Sequence, residues 1–281
     1  MTKPTILEVS RIPPLTHAEA EQMARTELTH LVELFKSLSS ADWGKPTDCT
    51  LWNVRQILAH QAGAYAGFAS WGQFIRQWSQ LSKRPQPGQY TVDLINKRQV
   101  EDRAHLSPSE LIAELEKKGA KAITTRQRLP GFLRAVPFPF GPPLGTARLD
   151  YLTDLIYTRD TWSHRLDICR ATGRDMLLRP EHDGRIIALV MRDLMRKFHK
   201  EFGEKFNAIS IVYQLTGPAG GCWRIGLVEK TTTTIHMDAL DFSRLTSGRL
   251  KPDEVLNESL AVIENDLGMA RWVLNHSAVP Y

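Results

Sequence analysis

Two histidines and one aspartate have the types and the spacing of a metal site. Asp160 and His164 stand four residues apart in the segment DTWSH, so both side chains project from one face of a helix. His60 lies far upstream in ILAHQAGAYAG, where Gly63 and Gly67 share its face and leave room for a neighbouring helix or a ligand. Two imidazoles and one carboxylate from two helices would make a three-ligand site with a position open for water or substrate.

A hydrogen-bond network is the alternative to a metal. Tyr157 and Asp167 fall on nearly the same helix face as Asp160 and His164, and burying such groups unpaired costs about 2 kcal/mol or more each. His60 alone is also compatible with a hydrogen-bonded core histidine, and Asp160 with His164 is compatible with a surface ion pair. If the metal is present, we expect Tyr157 and Asp167 to fix the ligating imidazoles by hydrogen bonds.

The elements that position these residues are helical over the first two hundred residues. Thr16 and Glu19 form a capping box, and Ser107, Pro108 and Glu110 are typical of another helix start. Gly173 is suited to end the helix that carries Asp160. The predicted helices start at Thr16, near Thr50 and at Ser107, and run from about Asp150 to Thr172 and from about Pro180 to Phe202.

The hydrophobic period changes after Gly203. Apolar residues alternate from Ile209 to Tyr213 and again from Trp223, and a β-branched run extends from Thr231 to Met237. Helical patterns return at 239–245 and 267–274. We therefore predict an α plus α+β chain, with a four-helix bundle and extra helices over 1–204 and a small α+β domain over 205–281.

The segment from Pro130 to Gly145, PGFLRAVPFPFGPPLG, contains five prolines and is predicted to be a stiff loop rather than a regular helix. It is compatible with a lid over the site or with a rigid surface connection. Its sequence leaves both interpretations open.

Composition and charge exclude several classes of protein. The 281 residues include 36 Lys and Arg against 31 Asp and Glu, a small and dispersed excess of +5 that does not indicate nucleic-acid binding. Three separated cysteines form no CxxC pair and argue against a disulfide framework. We find no signal-peptide pattern in 1–14 and no membrane span, and expect a cytoplasmic protein, monomeric or homodimeric.

Two segments carry a resemblance to a known family. TDCTLWNVRQILAHQAG and YTRDTWSHRLDICRATGR resemble the two signatures of the DinB-like family typified by mycothiol-dependent maleylpyruvate isomerase. The C-terminal stretch WRIGLVEKTTTTIHMDALDFSRLTSGR resembles the sterol-carrier-like domain that accompanies these bundles. The resemblance implies a DinB-like bundle that binds one divalent metal through His60, Asp160 and His164.

Zinc is the default ion for these ligands, and nickel, iron and manganese accept them as well. The isomerase uses Glu at the position of Asp160, and the proline-rich segment does not match the family pattern. Arg55 is a candidate for binding an anionic substrate or thiol, with a helix-surface ion pair as its alternative. Arg249 in TSGR is a second candidate by resemblance, with an ordinary turn residue as its alternative.

Three functions fit this sequence. The first is an enzyme in which a low-molecular-weight thiol, mycothiol by resemblance, loses its proton at the metal and adds to a small electrophile, for isomerisation or S-transfer. The second is a metal-dependent hydrolase of a small ester or amide, with Asp167 as the general base. The third is a binding or stress-response protein without turnover. No catalytic side chain beyond the metal ligands can be assigned from the sequence.

Overall fold

A computed structural model describes residues 5–82, 86, 91–141, 145–226 and 228–279. Residues 1–4, which belong to the segment searched for a signal-peptide pattern, and residues 142–144 of the proline-rich segment lie outside this range. The chain divides into two compact units, one of residues 15–176 and one of residues 1–14 with 177–280. Each unit is described by itself.

The unit of residues 15–176 is a helical bundle. Its helices are α1 (His17–Lys36), α2 (Val54–Ala69), α3 (Trp71–Trp78), α4 (Thr91–Glu101), α5 (Pro108–Gln127), α6 (Gly131–Arg134) and α7 (Tyr157–Thr172). Helices α1, α2, α5 and α7 pack together, and α3 and α4 lie against α2. The predicted four-helix bundle with extra helices is thereby confirmed.

The bundle core follows the predicted apolar stripes. Side chains with less than 2% exposure meet from α1, α2, α5 and α7, among them Leu31, Ile57, Leu115 and Ile168. Burying each side chain of this size contributes about 1.5–3 kcal/mol, so the four stripes supply the main stability of the bundle. The core thereby determines which faces of α2 and α7 pack against each other.

The helix starts are set by side-chain caps. Thr16 and Glu19 form the predicted capping box of α1, and Ser107 caps α5 in the same way. Helix α2 begins at Val54 rather than near Thr50, because Asn53 accepts from the backbone of Gln56 and ends the preceding turn. A π-helical turn, Tyr151–Ile156, leads into α7, so only the later part of the predicted helix from Asp150 is α-helical.

The proline-rich segment includes α6 and a two-stranded antiparallel hairpin, β2 (Pro137–Gly141) and β3 (Gly145–Arg148). The sequence predicted a stiff loop here, and this prediction is wrong for the described residues: the prolines exclude a long helix but allow one helical turn and an isolated hairpin. The aromatic ring of Phe138 on β2 meets Trp78 of α3, with ring centroids 5.1 Å apart. This contact joins the hairpin to the end of α3.

The other unit is built on a five-stranded mixed sheet in the order β1-β5-β4-β6-β7. Its strands are β1 (Leu7–Glu8), β4 (Ser210–Thr216), β5 (Gly221–Gly226), β6 (Thr233–Asp238) and β7 (Ala261–Asn265). Its helices are α8 (Arg185–Phe202), α9 (Ala239–Thr246), α10 (Pro252–Asn257) and α11 (Leu267–Asn275). The small α+β region expected after residue 205 is thus present.

The two units meet along the chain at Met176, whereas the sequence predicted a domain boundary at residue 204. The difference is α8, which packs on β5 and α9 in the sheet-containing unit. The amphipathic pattern of α8 predicts that one face is buried but not which core it faces. Among the described residues, no helix is both long and apolar enough to cross a membrane.

Candidate metal centre

The packing of α2 against α7 brings His60, Asp160 and His164 together. His60 Nε2 lies 3.2 Å from one carboxylate oxygen of Asp160, and His164 Nε2 lies 3.5 Å from the other. One ligand atom from each residue lies within 4.8 Å of the other two. Each imidazole side chain is 4% exposed and the Asp160 side chain is 22% exposed, so the centre opens to solvent at the carboxylate.

Asp167 sets the orientation of His164. Its carboxylate lies one helical turn further along α7 and is 2.9 Å from His164 Nδ1. Because the buried carboxylate accepts, Nδ1 carries the proton and Nε2 is directed at Asp160. The structure thus contains a hydrogen bond between Asp167 and His164, and the part of Asp167 in metal binding stays a prediction.

A chain of two glutamines sets the orientation of His60. Gln77 Nε2 donates to the backbone carbonyl of Gly63 at 2.8 Å, Gln99 Nε2 donates to Gln77 Oε1 at 3.0 Å, and His60 Nδ1 lies 2.8 Å from Gln99 Oε1. Because a carbonyl can only accept, the direction of every bond in the chain is determined. His60 must donate from Nδ1, and its Nε2 is the atom that faces the Asp160 carboxylate.

Two glycines make this glutamine chain sterically possible. A Cβ atom on Gly63 would lie 2.5 Å from Gln99 Cβ, and one on Gly67 would lie 2.8 Å from Gln77 Oε1. The sequence indicated that these positions leave space beside His60. In the structure this space is taken by the side chains of Gln77 on α3 and Gln99 on α4.

The centre is arranged for a positive charge. Burial alone would raise the pKa of Asp160, but the imidazoles of His164 and His60 outweigh it and hold that pKa well below 3.8. Burial would lower the pKa of His164, but Asp160 and Asp167 outweigh it and raise that pKa to about 9. A second proton on an imidazole can supply this charge, and so can a metal ion.

The donor set fits a divalent ion. Two imidazole nitrogens and one carboxylate oxygen converge, and each imidazole has its other nitrogen held by a hydrogen bond, as is usual for metal-binding histidines. The two imidazole rings are 5.1 Å apart and nearly perpendicular, so they approach the same point from different directions. The residues present therefore fit the group that the sequence predicted.

Further side chains hold the ligands in place. The ring of Trp52 stacks on His60, with centroids 4.7 Å apart and planes 28° apart. Gln61 Nε2 donates to Asp160 at 2.7 Å, and Thr161 Oγ1 lies 3.0 Å from Gln61 Oε1. Each of the three candidate ligands thus has a hydrogen bond or a ring contact that restrains its side chain.

Other residues singled out in the sequence have different surroundings. The centroid of the Tyr157 ring lies 4.6 Å from the guanidinium carbon of Arg126. Within the described residues, the Tyr157 hydroxyl makes no hydrogen bond with either imidazole. Its predicted part in fixing the imidazoles is therefore not seen. Arg55 donates to the backbone carbonyls of Arg103, Ala104 and Leu106, just beyond α4.

Arg249 belongs to the sheet-containing unit and follows α9, where its backbone N–H donates to Arg244 O at 2.8 Å. Its assignment to thiol or substrate binding stays a prediction. Cys49 had no predicted role. It lies with His164 and Asp167 in a second group of potential metal ligands, whose ligand atoms are within 4.8 Å of one another. The loop before α2 therefore borders the centre.

Comparison with known proteins decides the family. The family model described as the mycothiol maleylpyruvate isomerase N-terminal domain matches residues 24–169, which is more than half of the chain. The chain belongs to this family. The matched range includes all three residues of the candidate centre, and the membership confirms the resemblance on which the sequence predictions were based.

Two solved structures are similar to this member of the mycothiol maleylpyruvate isomerase family. The mycothiol-dependent maleylpyruvate isomerase matches with a TM-score of 0.55 at 14% identity, covering 87% of this chain and 92% of that one. A mutant of that isomerase with one histidine replaced by alanine matches with a TM-score of 0.54 at 13% identity and the same coverage. At this identity the likeness shows the fold. Comparison with curated proteins gives no match.

Proposed function

We propose that this protein is a metal-dependent enzyme that uses a low-molecular-weight thiol, such as mycothiol, for isomerisation or S-transfer on a small electrophilic substrate. The observation that carries the proposal is the convergence of two imidazole Nε2 atoms on a carboxylate, with both Nδ1 atoms engaged elsewhere. The family is named for an enzyme of this class, and both solved relatives are forms of that enzyme.

His60, Asp160 and His164 would hold the ion, and zinc is the first choice, with nickel, iron and manganese as alternatives. A divalent ion in this place would lower the pKa of a bound thiol so that the thiolate forms at neutral pH. Asp160, the most exposed of the three, places the reacting groups at the open side of the centre.

The surrounding residues restrict the movement of the two imidazoles and shield them from water. Trp52 covers one face of His60, and the buried Asp167 keeps His164 in the required tautomer. A hydrogen bond from Gln61 Nε2 restrains the Asp160 carboxylate. These residues orient and shield the centre and need take no part in proton transfer.

The hydrolase alternative is weakened by the position of Asp167. A general base must accept a proton from water, but this carboxylate is fully buried and hydrogen-bonded to His164 Nδ1. A binding protein without turnover has the same metal centre, so only an assay separates it from the enzyme. A cytoplasmic location is part of the proposal, because a thiol cosubstrate stays reduced there.

The first test is metal analysis of the purified protein with His60→Ala and His164→Ala, and with exposed His105→Ala as a matched control. We expect about one metal per chain in the wild type and in the control, and loss of the metal in the two other variants. A wild type that neither contains nor takes up a divalent metal would refute the proposal.

The second test is turnover. The metal-loaded protein is assayed on maleylpyruvate and on other small electrophiles, with and without mycothiol. Turnover that requires the thiol supports the proposal, and turnover that ignores it supports a hydrolase. A metal-loaded protein that is inactive on the whole panel indicates the binding role instead.

A further inference from the structure

Arg126 is a buried cation on the last turn of α5. The residue is 2% exposed, and its guanidinium lies 4.6 Å from the ring centroid of Tyr157 and 5.5 Å from that of Tyr65. Its Nη1 atom is buried and has no hydrogen-bond partner among the residues that the structure describes. Buried polar groups almost always have a partner, so this N–H group indicates a ligand that is not part of the chain.

Within the described residues, Arg126 forms no ion pair with an acid. Burial lowers its pKa below the ordinary value, and the Tyr65 and Tyr157 side chains, followed by the Asp154 carboxylate, act against this effect. Asp154 itself is bonded to Arg134 at 2.5 Å and to His17 at 2.9 Å. Two guanidinium groups thus share one carboxylate, and the region has a surplus of positive charge that a bound anion would balance.

This cation lies close to the candidate metal centre. Tyr157 precedes Asp160 by one turn of α7, and Tyr65 follows Gln61 by one turn of α2. The Tyr65 hydroxyl is 3.3 Å from Thr161, the residue next to Asp160. Asp160 is the most exposed of the three candidate ligands, and Tyr157, one turn before it on α7, is itself partly exposed, whereas Tyr65 is buried.

We propose that Arg126 binds a carboxylate group of the substrate, which places the electrophilic carbon of a small organic acid at the metal centre. A guanidinium offers two parallel N–H groups to a carboxylate, and the flanking rings hold its plane. The identity of the anion as substrate rests on the proposed function. Anion binding by Arg126 does not rest on it and is tested separately.

The test is thermal unfolding of the wild type in sodium acetate and in sodium chloride at constant ionic strength. We expect a saturable rise of the Tm with acetate in the wild type and in Arg128→Met, an exposed position on the same helix end. Arg126→Met loses the rise and, without acetate, is at least as stable as the wild type, because an unmatched buried charge is removed. An equal acetate effect in Arg126→Met would overturn the proposal.

A second measurement covers the case in which Arg126→Met does not fold. The side-chain N–H resonance of Arg126, assigned by its absence in Arg126→Lys, is followed in the wild type during an acetate titration. A saturable shift supports the site, and no shift beyond that caused by chloride overturns it. Repeating the titration on His60→Ala separates the two proposals, because carboxylate binding should persist there even though the metal is lost.

Kinetics then connect the site to the substrate. For a carboxylate substrate, Arg126→Met should raise KM about tenfold to a hundredfold, the size of a lost hydrogen bond to a charged group. The methyl ester of the same substrate should show no such change. A fall of kcat with an unchanged KM on the acid would mean that Arg126 does not bind the carboxylate.

Discussion

Replacing Gln99 by leucine tests the argument about the tautomer of His60. The substitution removes the acceptor 2.8 Å from His60 Nδ1 and leaves that N–H group without a partner in a buried place. The imidazole can then carry its proton on either nitrogen and can turn. Loss of such an outer hydrogen bond typically weakens metal binding 10–100-fold, or about 1.4–2.7 kcal/mol.

The assay is competition for the metal with a chelator of known affinity. Gln99→Glu is the comparison variant: its carboxylate still accepts from Nδ1 although it cannot donate to Gln77 Oε1, so it should keep more of the metal affinity than Gln99→Leu. Leu115→Ala controls for stability: it opens a cavity in the bundle core at a cost of about 2–5 kcal/mol without touching the centre. The folded protein should then bind metal as the wild type does.

A spectroscopic measurement tests the tautomer of His60 directly. In the metal-free protein, nitrogen chemical shifts of the His60 ring distinguish a proton on Nδ1 from one on Nε2. The glutamine chain predicts the Nδ1–H form in the wild type and a mixture in Gln99→Leu. Wild-type metal affinity in Gln99→Leu, together with an unchanged tautomer, would refute the reasoning.

Three further predictions concern other parts of the bundle. The pKa of His164 is raised to about 9, so below this pH a metal must displace a proton from the imidazole. The apparent Kd of the metal, measured by calorimetry, should therefore fall by up to about tenfold for each unit of rising pH between 6.5 and 9. Gly63→Ala places a Cβ atom 2.5 Å from Gln99 Cβ and should cost about 1–3 kcal/mol in urea unfolding, whereas a cost below the error would contradict the close approach. Glu27→Gln breaks an ion pair of 2.8 Å with the nearly buried Arg165 and should lower the free energy of unfolding in urea by about 3–5 kcal/mol, whereas an unchanged unfolding midpoint would contradict the importance of this pair.

The metal-ligand candidates could be predicted because their signal is local. Asp160 and His164 share a helix face by spacing alone, and Asp167 lies one turn away, so three of the interacting groups are fixed by one helix. The pairing of this helix with that of His60 came from the apolar stripes and from the family resemblance. The fold class followed from the change of period after Gly203, where a helical pattern gives way to alternation.

The partners of His60 could not be predicted in the same way. Gln77 and Gln99 are ordinary polar residues in the sequence, and they reach the centre only because α3 and α4 pack against α2. The signal that could have found them is the pair Gly63 and Gly67, which marks a close approach but not the approaching residue.

Some surroundings are invisible in the local sequence. The spacing of Arg55 does not reveal the backbone carbonyls after α4 to which it donates, and its assignment to an anion site stays a prediction. Nothing in the local pattern of Arg126 shows that its helix end lies beside two tyrosines. The position of α8 depends on which of two cores offers the better surface, which an amphipathic pattern leaves open.

The pairing of β1 with β5 has a consequence for synthesis of the chain. Leu7 and Glu8 form a parallel pair with Trp223 and Arg224, so the sheet is assembled from segments separated by the whole bundle. During translation the bundle is complete on the ribosome before β5 emerges, and it can fold while the amino-terminal strand still lacks its neighbour. The pairing of β1 with β5 therefore takes place only after the whole bundle has been synthesised.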